Sequence, residues 1–91
     1  MAKVVVACGA GVATSHAVAK RIEGLLAERG VKAEIRAVSM AELDAALEGA
    51  DAYVAVVRDD RSYDVPTING VAFLTGMGQD VELARLIEAL R

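Results

Sequence analysis

The chain has 91 residues, 55 % of them hydrophobic, with one Phe, two Tyr, no Trp and a formal net charge of −3. That length suits one domain, residues 1–91, near the lower end of what folds around a single core. The acidic balance, with Lys and Arg interspersed among Asp and Glu, argues against a nucleic-acid partner, whose phosphates need clustered cations.

One cysteine and one histidine close neither an internal disulfide nor a structural zinc site. We therefore expect a cytoplasmic domain with one free thiol, no metal and no cofactor. Met1-Ala2-Lys3 runs straight into a five-residue apolar segment, too short for a secretory leader, and no run reaches membrane-spanning length.

Residues 3–7, Lys-Val-Val-Val-Ala, have the continuous β-branched pattern of a parallel strand buried on both faces. The period then changes. Over residues 14–29, Val18, Ile22, Leu25 and Leu26 fall on one helical face, with Thr14 or Ser15 as a cap and Gly30 as the stop. Residues 31–38 alternate, Val31, Ala33, Ile35 and Ala37 against Lys32, Glu34 and Arg36, which predicts an edge strand. Ser39-Met40-Ala41-Glu42 matches a capping box, followed by a short helix with Met40, Leu43 and Leu47 inward and Gly49 at its end.

Residues 52–57 form a third strand, apolar on both faces, and residues 58–66 a polar loop. Asn69-Gly70 is a hairpin signal, and Pro66 makes its first arm a poor inner strand. The fourth strand is therefore expected at residues 71–75, with a last helix over 80–90 carrying Val81, Ala84, Ile87 and Leu90 in step and Leu83 and Leu86 flanking. The expected fold is α/β: a small doubly wound, Rossmann-like or flavodoxin-like sheet of four parallel strands, order 2-1-3-4, flanked by three helices.

In such sheets ligands gather beyond the carboxyl ends of the strands, where the strand order reverses. Cys8 falls there. Gly9 and Gly11 let successive amides curl inward as an anion nest, Thr14 and Ser15 add hydroxyls, and the helix that follows contributes its positive end. This setting favours the thiolate, which is the nucleophile. A phosphoryl group on the sulfur would meet amides and hydroxyls, so the loop suits a covalent phosphocysteine held by dipoles. A lone cysteine is more often a small apolar residue ending a strand; its place at a strand, glycine-loop and helix junction turns the balance toward chemistry.

Two rivals fail on the residues. A dinucleotide fingerprint needs Gly or Ala where Thr14 stands and an acid where the second strand closes in Ala37-Val38-Ser39. A phosphatase-type loop needs an arginine, but residues 13–16 are Ala-Thr-Ser-His.

The run Val6-Ala7-Cys8-Gly9-Ala10-Gly11-Val12-Ala13-Thr14-Ser15 resembles the active-site loop of the IIB components of the bacterial phosphoenolpyruvate-dependent sugar phosphotransferase system, with the galactitol type nearest. The likeness continues through Asp60-Arg61-Ser62-Tyr63, Val65-Pro66, Asn69-Gly70-Val71-Ala72-Phe73 and Gly76-Met77-Gly78. The resemblance implies a phosphoryl relay. A phosphohistidine on a IIA partner would charge Cys8, which would pass the group to a sugar or polyol held by a membrane-embedded IIC partner. Residues Gly9, Ala10, Gly11, Val12, Ala13, Thr14 and Ser15 would cradle the phosphate. The chain would be cytoplasmic, held at the inner membrane through IIC rather than inserted.

His16 stands where a small polar residue such as threonine is expected, and it reads as an exposed helix-start residue or as an auxiliary to the phosphorylated form. Arg58 and Arg61 follow the third strand and either steer an anionic partner or pair with Asp59, Asp60 and Asp64. Tyr63, Met77 and Phe73 are apolar enough to be docking contacts, with Phe73 weighing toward the core. Two alternatives share the fold: a sensor module whose Cys8 phosphorylation controls a partner without sugar transfer, and a thiol redox switch.

Overall fold

In the computed structural model, residues 2–8, 12–56, 63 and 65–90 are described. Strand β1 (Ala2–Cys8) leads to helix α1 (Val12–Glu28) and strand β2 (Ala33–Ser39). A 3-10 turn (Met40–Glu42) and a short helix α2 (Leu43–Ala46) follow, then strand β3 (Ala52–Ala55), strand β4 (Thr67–Asn69), helix α3 (Val71–Thr75) and helix α4 (Gln79–Ala89). All strand pairs are parallel, in the order β2-β1-β3-β4. The expected topology is the observed one.

The pleat of β1 divides the core. Val4 and Val6 pack with Val18, Ile22 and Leu26 of α1 and Leu83 and Leu86 of α4, while Val5 and Ala7 face Leu43 and Tyr53 on the other side. Both neighbours of β1 are strands, so the continuous apolar run at residues 4–7 is fully buried. Strand β2 is an edge, as its alternation predicts: Glu34 and Arg36 are exposed, and Ala33, Ile35 and Ala37 pack against the α1 side. Helix α1 buries Val18, Ile22 and Leu26, the expected stripe. It stops in a Schellman arrangement, with Val31 N–H donating to the Leu26 carbonyl at 2.9 Å, Gly30 N–H to that of Ala27 at 3.1 Å, and Gly30 at φ 69°.

Four expectations need correction. The first concerns the fourth strand, which is Thr67–Asn69, while Val71–Thr75 is helical. A two-residue hairpin of the favoured type needs positive φ at both central residues. Gly70 sits at φ −72°, and among the described residues no residue other than glycine has positive φ. Gly70 instead extends the ladder by one bond, donating to the Ala55 carbonyl at 2.7 Å. Asn69 Oδ1 then accepts from Val71 N–H at 3.1 Å and turns the chain into α3. Pro66 precedes the strand, where its missing N–H costs nothing, and its carbonyl accepts from Tyr53 N–H at 2.9 Å. With α3 added, four α-helices among the described residues flank the sheet rather than three.

Second, α1 begins at Val12, so Thr14 and Ser15 lie inside its first turn rather than capping it. Third, Ser39 makes no cap bond to the backbone. The 3-10 turn brings residues three apart into line, and Ser39 Oγ donates to Glu42 Oε1 at 3.1 Å instead. Fourth, α4 turns Leu83 and Leu86 inward, while Val81 is 62 % exposed and Ala84 is exposed. The orientation follows from two polar contacts to the outer side of β4. Glu82 Oε1 accepts from Asn69 N–H at 2.7 Å, and Arg85 donates both to Glu82 (3.1 Å) and to the Thr67 carbonyl (3.3 Å).

Two stability predictions follow from these contacts. A Cβ at Gly70 would lie 2.7 Å from Val56 Cγ2 and 2.9 Å from both the Ala55 carbonyl oxygen and Val54 Cγ1. Gly70→Ala should therefore cost about 1–3 kcal/mol, read as a lower urea midpoint at unchanged slope. Glu82→Ala removes the acceptor from the Asn69 amide and should cost about 1 kcal/mol. Glu82→Gln keeps an acceptor oxygen and should lose less in the same titration.

Candidate functional site

The site is built where the strands end. Cys8 is the last residue of β1 and pairs in register with Ser39, the last of β2. On the other side Ala7 pairs with Ala55, and Ala55 with Asn69. Val56 N–H donates to the Ala7 carbonyl at 3.0 Å, so the ladder continues to the level of Cys8. The carboxyl rim of the sheet is thus a row of Ser39, Cys8, Val56 and Gly70. Cys8 stands on the strand from which the chain crosses outward to β2 and to whose other side it returns as β3, the place where α/β sheets hold ligands.

Only residues 9–11 separate Cys8 from α1. A helix leaves its first amides without intrahelical acceptors, and its dipole makes that end positive. The start of α1 at Val12 therefore puts unsatisfied donors within a few residues of the cysteine. No acid stands in the first turn of α1, and from Val12 to Ile22 the helix carries His16, Lys20 and Arg21 but no carboxylate. An anion held at this end meets the positive end of the helix dipole with no carboxylate in the first turn.

Of the loop residues singled out from the sequence, Gly9, Ala10 and Gly11 lie outside the described residues. Cys8, Val12 and Ala13 are described by their place in the backbone. Thr14 is half-buried, and Ser15 is fully buried on the inward stripe shared with Val18, Ala19 and Ile22, the one buried polar residue among those described. His16 is exposed on α1. Arg58 and Arg61, with Asp59, Asp60 and Asp64, lie outside the described residues, as does the expected end of the third strand at Val57.

Tyr63 is not a free docking contact. It packs on the α2 side of the sheet, its ring edge-on to Tyr53 with centroids 5.0 Å apart. Phe73 is core, 4 % exposed, and Met77 is 80 % exposed.

The rim also contains residues that the sequence did not single out as site residues. Ser39 faces Cys8 across the β1–β2 pair, and its hydroxyl is engaged by Glu42. Asn69 and Gly70 close the other end of the row, with the Asn69 amide held by Glu82. The capping-box pattern and the Asn-Gly pair are the sequence signals that mark both places; what they lacked was the register that aligns them with Cys8. Among the described residues no three His, Cys, Asp or Glu side chains converge as a metal site, and no helix is long and apolar enough to cross a membrane.

Comparison with known proteins fits this geometry. Residues 3–85 match the model of the lactose/cellobiose-specific IIB subunits of the phosphotransferase system. The chain is 37 % identical over 90 residues to SgcB of Escherichia coli (strain K12), provisionally named a phosphotransferase enzyme IIB component, covering 99 % of this chain and 97 % of that one. It is 29 % identical to the galactitol-specific EIIB component of Escherichia coli O157:H7, over 98 % of this chain and 96 % of that protein. The solution structure of a cellobiose-specific IIB component from Borrelia burgdorferi superposes with a TM-score of 0.63 at 22 % identity, covering 98 % of this chain and 91 % of that one. With its four parallel strands, its cysteine at the end of an inner one and a family match along nearly its whole length, the chain belongs to the lactose/cellobiose-type IIB subunits of the sugar phosphotransferase system.

Proposed function

We propose that Cys8 is the phosphoryl carrier: it takes the group from a phosphohistidine on a IIA protein and gives it to a sugar or polyol, of galactitol type, held by a membrane-embedded IIC protein. The observation that carries this reading is the position of Cys8 at the carboxyl end of β1, with α1 starting at Val12.

In the first step the Cys8 sulfur attacks phosphorus as the bond from phosphorus to the imidazole nitrogen breaks. The thiol proton ends, in net terms, on the departing imidazole. In the second step a substrate hydroxyl oxygen attacks, the S–P bond breaks, and the hydroxyl proton is returned in net terms to the thiol. Both displacements run in line through a loose transition state whose charge lies on the three equatorial oxygens. The amides of Gly9, Ala10 and Gly11 and the first amides of α1 at Val12, Ala13 and Thr14 serve those oxygens, with the Thr14 and Ser15 hydroxyls beside them. Donors fixed before the charge develops are the effective kind. His16, Arg58 and Arg61 are auxiliary in this scheme, the two arginines as cations that attract the phosphate. Galactitol-specific relatives support the polyol class, and pairing with IIC would hold the chain at the inner face of the membrane.

Incubation with phosphoenolpyruvate, the general phosphotransfer proteins and a panel of IIA proteins should add one phosphoryl group, seen by intact mass. Cys8→Ser should abolish it, and a label that survives in this variant refutes the assignment. Membranes carrying a matching IIC protein and its polyol should then discharge the labelled chain; a label that no such membrane discharges would favour the sensor alternative.

A further inference from the structure

Of the residues that stand with Cys8 in the rim row, Val56 and Gly70 have no polar side-chain atom, and Ser39 has a hydroxyl. Ser39 is also the residue in register with Cys8 on the neighbouring strand, so the two backbones lie one strand spacing, about 4.8 Å, apart. Residues in register across a parallel pair share a face of the sheet. Ala33, Ile35 and Ala37 pack on the α1 side, which places Ser39, next in their alternation, on that same face.

A serine hydroxyl has one proton to give. That of Ser39 goes to Glu42 Oε1 at 3.1 Å, and Ser39 makes no cap bond to the turn that follows it, so Glu42 is what orients the hydroxyl.

We infer that Ser39 is a further donor to the phosphoryl group carried by Cys8, and that Glu42 holds its hydroxyl while the thiol carries nothing, an inference that rests on the phosphoryl-carrier reading above. The reach is sufficient. Through the bonds Cβ–Sγ, Sγ–P and P–O, a phosphoryl oxygen gets about as far from the Cys8 Cβ as neighbouring strands are from each other. Rotation about χ1 moves the Ser39 oxygen between staggered positions without moving the backbone.

The exchange of partners is also favourable. Carboxylate and phosphoryl oxygens are both anionic, so Ser39 trades one charge-assisted hydrogen bond for another, and the phosphoryl group, with the larger charge, is the stronger acceptor. Glu42 is exposed and lines a groove on the α2 side with Lys3 and Arg36. Its carboxylate is thus released to water and to cations when the hydroxyl turns away. The two residues therefore act in opposite directions: Ser39 serves the transferring group, and Glu42 competes with that group for the same proton.

The opposition is testable with a IIA protein that charges the wild-type chain, the charging rate being followed against donor concentration. Ser39→Ala should lower the rate at saturating donor about tenfold, less than the loss of a rigidly fixed oxyanion donor, while the donor concentration that gives half the maximal rate stays within about twofold. Ser39→Thr keeps the hydroxyl and should retain about half the wild-type rate or more. Glu42→Gln offers a neutral acceptor, weakens the hold on the hydroxyl and should raise the saturating rate about twofold or more. In the Ser39→Ala background the same Glu42→Gln substitution should change nothing. A hydrogen bond that merely stapled the turn would be weakened in both single variants, and both rates would then move in the same direction. Circular dichroism establishes that each variant is folded; if Ser39→Ala is not, Glu42→Gln decides by itself.

A wild-type saturating rate in folded Ser39→Ala, a loss in it confined to limiting donor, no recovery in Ser39→Thr, or no rise in Glu42→Gln each overturns the proposal. Failure of every donor to charge the wild-type chain would instead strike the carrier reading itself.

Discussion

Complete burial of Val4, Val5, Val6 and Ala7 is the constraint from which the other elements take their places. A strand apolar on both faces must be covered on both, and its backbone groups need a parallel neighbour on each side. Strands β2 and β3 supply the neighbours, α1 and α4 one cover, and α2 with Tyr53 the other. Each crossover returns the chain to the same end of the sheet, so the carboxyl rim collects every strand-to-helix turn. Cys8 is on that rim because it is the last residue of the inner strand β1.

This arrangement explains which parts of the fold were legible in the sequence. The β1 run, the stripe of α1 and the alternation of β2 each state a burial pattern in a single period, and each is found in the structure. The segment after Pro66 was misread for a physical reason. Val71-Ala72-Phe73-Leu74-Thr75 has strand-like composition, and Asn69-Gly70 the look of a turn between two arms. What decides its state is tertiary: Gly70 fits where no Cβ fits, against Ala55 and Val56, and the chain must leave the sheet there. The face of α4 was likewise set by the contacts of Glu82 and Arg85 with β4, which no periodicity within the helix encodes.

The candidate site was legible for a different reason. A single cysteine between a buried strand and a glycine-rich turn has few structural explanations, and Thr14, Ser15 and the acid-free first turn of α1 give it a consistent chemical setting. Ser39, Asn69 and Gly70 were recognisable only as local turn or cap residues. Their alignment with Cys8 depends on pairing register between strands 14 to 48 residues apart, a relation that one sequence does not display.

The Glu82–Arg85 pair has a consequence beyond holding α4. Strand β4 has three residues, and the outward-facing amide of Asn69 and carbonyl of Thr67 are occupied by side chains of the chain's own next long helix. An incoming strand from a second molecule therefore finds two bonding positions of that short edge already filled. The opposite edge, β2, exposes Glu34 and Arg36, charges that an added strand would have to desolvate. Both flanks of the sheet are thereby guarded against strand-to-strand association between copies of the chain.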